Sequence, residues 1–136
     1  MTPDEMRDAR LKLAVRYVGL EEVEDKEELE DFIGFDPSKT AWCAGFVNAL
    51  EKKLGNLGTG KLTARSFLKY GASVLIPRPG DIVVFKRGNS TWEGHVALFV
   101  RFNDDVSVQV LGGNQNNKVC YKAYPLGDVL GYRMTL

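Results

Sequence analysis

The feature that most constrains this chain is a change of hydrophobic period part-way along it. As far as Tyr70 the apolar residues recur every three or four positions, the spacing of one helical face. After Pro77-Arg78-Pro79-Gly80 they gather into short runs bounded by turn residues, the pattern of strands. Helices first and a meander of strands afterwards predict an α+β domain, its helices packed on an antiparallel sheet of about five strands. Thr2-Pro3-Asp4-Glu5 is a capping box with proline at the first helical position, and Met6, Leu13, Tyr17 and Leu20, with Ala9, Ala14 and Val18, then share a face. An acidic helix is expected over about 24–33, burying Leu29, Phe32 and Ile33. A third is expected from Thr40, whose hydroxyl can cap it, to Leu54, and a short fourth over 63–70, closed by Gly71. Strands are expected over 81–85, 95–100, 106–111, 118–121 and 129–134. The 136 residues suit a single domain, and 44% hydrophobic content is enough for a core without a disulfide or metal staple.

Eighteen basic and eighteen acidic residues cancel, and no basic stripe stands out, which argues against a nucleic-acid partner. No apolar run approaches the roughly 18 residues that a membrane span needs, so stable membrane insertion is not expected. Met1-Thr2-Pro3-Asp4-Glu5 does not read as a secretory signal, which places synthesis in the cytoplasm, where Cys43 and Cys120 would stay reduced. One histidine and two distant cysteines give no zinc-type spacing, and neither a metal nor another cofactor is expected.

What remains is cysteine chemistry. In the first turn of its helix, Cys43 would meet free backbone N–H groups and the helix dipole. Both favour a thiolate, lowering the pKa from about 8.5, and the same N–H groups could hold an oxyanion. The competing reading is a structural cysteine beside an apolar stripe. His95 is the sole histidine, so either it serves as the base or none does; it opens a strand directly after the polar loop 87–93. In a hairpin centred near Asp104 the residue opposite His95 is close to Gly113, which brings Asn114 within reach to orient the imidazole; the alternative is that 113–117 is only a polar turn. Asp81 reads as a turn cap more than an orienter, and Cys120 as core. Trp92 either lines a cleft or packs over the helix layer.

Four blocks then carry a likeness: Thr40-Ala41-Trp42-Cys43-Ala44-Gly45-Phe46-Val47-Asn48, Pro79-Gly80-Asp81-Ile82-Val83-Val84-Phe85, Gly94-His95-Val96-Ala97 and Leu111-Gly112-Gly113-Asn114-Gln115. In this order they resemble the CHAP family of cysteine, histidine-dependent amidohydrolases and peptidases, over roughly residues 38–134. The closest flavour is a compact phage-associated branch. The resemblance implies a papain-like fold, with Cys43 as nucleophile, His95 as base and Asn114 as orienter. It also implies peptidoglycan as substrate, cut as an N-acetylmuramoyl-L-alanine amidase or a stem-peptide endopeptidase would cut it. Two positions depart from the family pattern. Gly112 stands where many members have a glutamate, and Trp42 where many have a glutamine that donates to the oxyanion. The biological expectation is a monomeric phage endolysin, made in the host cytoplasm and acting in the periplasm after holin-type release. A virion-associated lysin and a secreted effector read the same way. A catalytically silent wall-binding or virion component, and an amidase acting on a small molecule, are the alternatives.

Overall fold

The computed structural model describes residues 1–135. Three helices, α1 (Pro3–Val15), α2 (Lys26–Ile33) and α3 (Cys43–Lys53), precede a 3₁₀ turn, Ala64–Lys69. Six strands follow: β1 (Ala72–Val74), β2 (Ile82–Lys86), β3 (Gly94–Phe102), β4 (Ser107–Gln115), β5 (Lys118–Pro125) and β6 (Val129–Met134). They form one antiparallel sheet in the order β1-β6-β2-β3-β4-β5, so the expected α+β architecture with helices packed on the sheet is what the chain adopts. β1 was not anticipated: three residues between a turn and a proline carry no readable period, and their pairing with β6 creates the strand.

The capping box forms as read, Thr2 Oγ1 accepting from Glu5 N–H at 3.1 Å and Glu5 Oε1 from Thr2 N–H at 3.0 Å. The expected apolar face largely goes inside: Met6 and Ala14 are buried and Leu13, Tyr17 and Leu20 pack on the core, while Val18 is exposed. What was not expected is that Arg7 and Arg10 also point inward. Arg10 is fully buried, with Nε on Glu51 Oε1 at 2.5 Å and Nη1 on Gly80 O at 3.0 Å. Tyr70 Oη and Asn56 Nδ2 donate to Glu51 Oε2 at 2.6 and 2.9 Å. Periodicity counts apolar residues only, and so misses an arginine that goes inside because its charge is matched there.

α3 begins at Cys43, with Trp42 as its N-cap; Thr40 caps nothing. Trp42 is wholly buried, and its indole N–H donates to Glu22 Oε1 at 3.0 Å. That anchorage holds Trp42 out of helical conformation, and the helix starts one residue later. The main core lies between α3 and one face of the sheet: Trp42, Phe46, Val47 and Leu50 pack on Val84, Val96, Leu98 and Leu111. A smaller cluster occupies the other face, where Val83, Phe85, Ala97, Phe99, Val108 and Val110 bury one another.

Candidate active site

α3 presents Cys43 as its first residue. The first bond of the helix ladder runs from Phe46 N–H to Trp42 C=O at 2.9 Å, so the N–H groups of Cys43, Ala44 and Gly45 carry none of it. The thiol is buried and sits against β3. Burial pushes its pKa up, and the N–H groups of Val96, Ala44 and Cys43 itself, with the charge of Arg87, pull only part of the way back. The thiolate expected from the helix start is therefore not the resting form: desolvation outweighs the dipole.

His95, the residue before Val96, is 3% exposed on β3. Its ring stacks on Tyr124 at 5.0 Å between centroids and on Phe85 at 6.4 Å, and Lys122 Nζ lies over the Tyr124 ring at 5.4 Å. Burial drives the pKa of His95 down to about 4; the bond to Gln115 opposes this, while Arg87 and Lys122 add to it. Thiol and imidazole are both uncharged at neutral pH.

The residue that holds the imidazole is Gln115, not Asn114. His95 Nε2 meets Gln115 Oε1 at 2.8 Å, and Gln115 Nε2 donates to Cys120 O at 2.6 Å. The second bond fixes the amide, since a carbonyl can only accept; the amide oxygen must then face His95 and can only accept from it. The proton is accordingly on Nε2, and Nδ1 carries the lone pair. Among the described residues, His95 Nδ1 is the one buried side-chain nitrogen or oxygen with no hydrogen-bond partner.

A one-residue bulge explains the change of partner. The β4–β5 register shifts between Gly112↔Cys120 and Gln115↔Lys118, and Asn114 within the shift has φ 57°. Strict alternation would put Asn114 on the Gly112 side of β4 and Gln115 on the other; the extra residue brings Gln115 to the Gly112 side, which is the face of His95. The glycine pair makes the room. A Cβ at Gly112 would lie 2.7 Å from Gln115 Oε1 and 2.8 Å from Ala97 Cβ, and one at Gly113 would strike the Trp42 ring at 2.7 Å. An asparagine, tolerant of positive φ, directly after two glycines in a strand is the sequence signal for such a bulge. Cys120, expected far from any base, is half-buried and supplies the carbonyl that fixes Gln115. Asp81 does cap its turn, accepting from Arg78 N–H at 2.8 Å, and is also paired with Arg7 at 2.6 Å.

Asn114 lines the cleft instead. A hollow of about 130 Å³ opens over Cys43, walled by Ala41, Thr63, Arg87, Trp92, Glu93 and Asn114 among others. Trp92, 70% exposed, thus stands on the cleft rim. A larger hollow, about 440 Å³ and lined by Phe32, Phe35, Gly45, Lys52 and Lys53, contains neither Cys43 nor His95. The indole N–H of Trp42 is committed to Glu22, and the N–H groups of Cys43, Ala44 and Gly45 at the start of α3 remain outside the helix ladder. Among the described residues no group of three or more His, Cys, Asp or Glu side chains is placed to hold a metal ion, and no helix is long and apolar enough to cross a membrane.

A thiol at the head of a helix, packed against the strand of an antiparallel sheet that also carries a histidine whose ring is fixed by an amide, fits the class of papain-like cysteine–histidine folds. Within that class the chain belongs to the CHAP family: residues 35–114, more than half of its length, match the CHAP domain. CHAP domains are typically cysteine- and histidine-dependent amidohydrolases, and in general act as amidases or peptidases on peptidoglycan. No curated protein matches the chain.

Proposed function

We propose that the protein opens an amide bond of murein, as an N-acetylmuramoyl-L-alanine amidase or a stem-peptide endopeptidase, with Cys43 as nucleophile, His95 as base and Gln115 as the residue that positions His95. The observation that carries this reading is the unpartnered lone pair on His95 Nδ1, its tautomer set by Gln115, on the strand against which the Cys43 thiol packs. Since thiol and imidazole rest uncharged, the proton moves as substrate is attacked. Nδ1 takes it from Sγ as the sulfur adds to the amide carbonyl, and the N–H groups heading α3 receive the developing oxyanion. The imidazolium then returns the proton to the departing amine. Water, deprotonated by the same nitrogen, hydrolyses the thioester and restores both groups. Asn114 keeps a place in this scheme as a cleft residue.

The endolysin role belongs to the same proposal, with synthesis in a host cytoplasm and action in the periplasm. It rests on the likeness of the Trp-Cys-Ala and Gly-Gly-Asn-Gln blocks to the phage-associated branch. Purified protein and its Cys43→Ala variant, incubated with murein sacculi, test the reading by mass spectrometry of the released fragments. New amino termini that appear only with the intact cysteine support it and name the bond. No release by the folded, reduced wild-type protein sinks it in favour of a silent wall-binding component or an amidase of small molecules.

A further inference from the structure

The cleft over Cys43 has an uneven wall. Arg87 and Glu93 are its charged members, both exposed on the loop between β2 and β3. This loop is braced. Ser90 Oγ accepts from the N–H groups of Trp92 and Glu93 at 3.2 and 2.9 Å, and Arg65 donates to the carbonyls of Glu93 and Ser90 at 2.8 and 2.7 Å. Arg65 is thereby committed to backbone. Arg87 has no ion pair and no side-chain hydrogen bond among the described residues, and Glu93 on the same rim is not within ion-pair distance of it. Asn114, which lines the same hollow, likewise offers an amide with no hydrogen-bond partner among the described residues. The positive charge of Arg87 is felt at Cys43, His95 and Tyr124, where it favours the thiolate and phenolate and disfavours the imidazolium.

An unpaired guanidinium on an ordinary surface means little, because water satisfies it. Here it lines the same hollow as Cys43, on a strapped loop, with the Asn114 amide and Trp92 as further members of that wall. A planar fork of N–H donors matches a carboxylate. We propose that Arg87, assisted by Asn114, is a carboxylate subsite, so that the substrate is a peptide bearing a free carboxylate within a few bonds of the scissile amide. The proposal rests on Cys43 being the nucleophile of the cleft. It assigns selectivity: a peptide whose carboxylate has been converted to carboxamide is the poorer substrate.

The test compares two alkylating reagents of nearly equal size, iodoacetate and iodoacetamide, on the intact protein, with peptide mapping to separate Cys43 from Cys120. Any change in thiol pKa affects both rates alike and cancels in their ratio. For Cys43 the iodoacetate-to-iodoacetamide ratio should exceed that of free cysteine by roughly fivefold, the scale of one partly exposed ion pair. It should fall to the free-cysteine value in Arg87→Gln and persist in Arg101→Gln, which removes a positive charge elsewhere. A ratio unaltered by Arg87→Gln, or a wild-type ratio no higher than that of free cysteine, overturns the subsite while leaving the nucleophile in place. Failure of Cys43 to react with either reagent at pH 9 overturns the nucleophile, and the subsite with it.

Discussion

The two ends of α3 make opposite use of buried polarity. At residue 51, Glu51 is wholly buried, yet Arg10, Tyr70 and Asn56 saturate its two oxygens, and Arg10 is itself shared with Gly80 and Thr135. At residue 43, about 12 Å away along the axis at 1.5 Å per residue, the thiol and His95 are as deeply buried, but His95 Nδ1 is left without a partner. The carboxylate end spends its polarity on fixing α1, α3 and the 3₁₀ turn against one another. The thiol end keeps a proton acceptor in reserve. Saturation marks a polar cluster that holds the fold; a vacancy at a group whose orientation is otherwise fixed marks one that can react.

If that contrast is right, substitutions at the two ends should separate activity from stability. The largest effect is expected at the reactive end: Cys43→Ala or His95→Ala should cost at least about 10⁴-fold in turnover on sacculi, with the folded state retained in far-UV circular dichroism. At the saturated end, Glu51→Leu strands the Arg10 charge and should destabilise by roughly 3–5 kcal/mol in urea unfolding, with activity per folded molecule little changed. Pairing it with Arg10→Met should recover part of the loss; if the double variant is as unstable as the sum of the singles, the cluster is not a matched unit.

The pH dependence of stability comes next. His95 titrates near 6.5 in the unfolded chain and at about 4 in the folded one. Between those values the unfolded chain binds a proton that the folded one does not, so stability falls as pH drops from 6.5 to 4 and this contribution is flat below. The full loss is about 3 kcal/mol, at 1.36 kcal/mol per pH unit. It should vanish from the His95→Gln curve when that is subtracted from wild type. Equal slopes for the two proteins would show that His95 titrates normally.

Smaller effects should sort the neighbours of the imidazole. Gln115→Leu removes its tether and should lower kcat about 10- to 100-fold, or about 1.4–2.7 kcal/mol, with KM nearly constant. Gly112→Ala should act in the same direction without touching any reacting group, because its Cβ would occupy the place of the amide. Asn114→Gly preserves the positive φ and should change kcat by no more than about threefold. A loss at Asn114 larger than at Gln115 would reverse the assignment of the positioning residue.

The sequence made the architecture legible because the two hydrophobic periods are clean and the turn residues fall between them. The capping box, the five longer strands and the placing of Cys43 in the first turn of its helix and of His95 at the start of a strand follow from local pattern and motif. Features set by tertiary contact were not legible. Arg10 goes inside only because Glu51 awaits it. Thr40 loses the cap because burial of Trp42 delays the helix, and the thiol rests protonated because β3 desolvates it. Gln115 was missed because a hairpin counted in even steps cannot register an extra residue.

That extra residue has a consequence for how this chain is compared with its kin. Column by column, Gly112 reads as a lost acidic partner, since the residue in that column is too small to touch anything. In space the place is filled, by an amide reaching back from three positions downstream. Removing one residue at 113 or 114 would leave Gln115 two places after Gly112, on the side of His95 by alternation alone, so what the bulge adds is the place for Asn114 on the cleft wall.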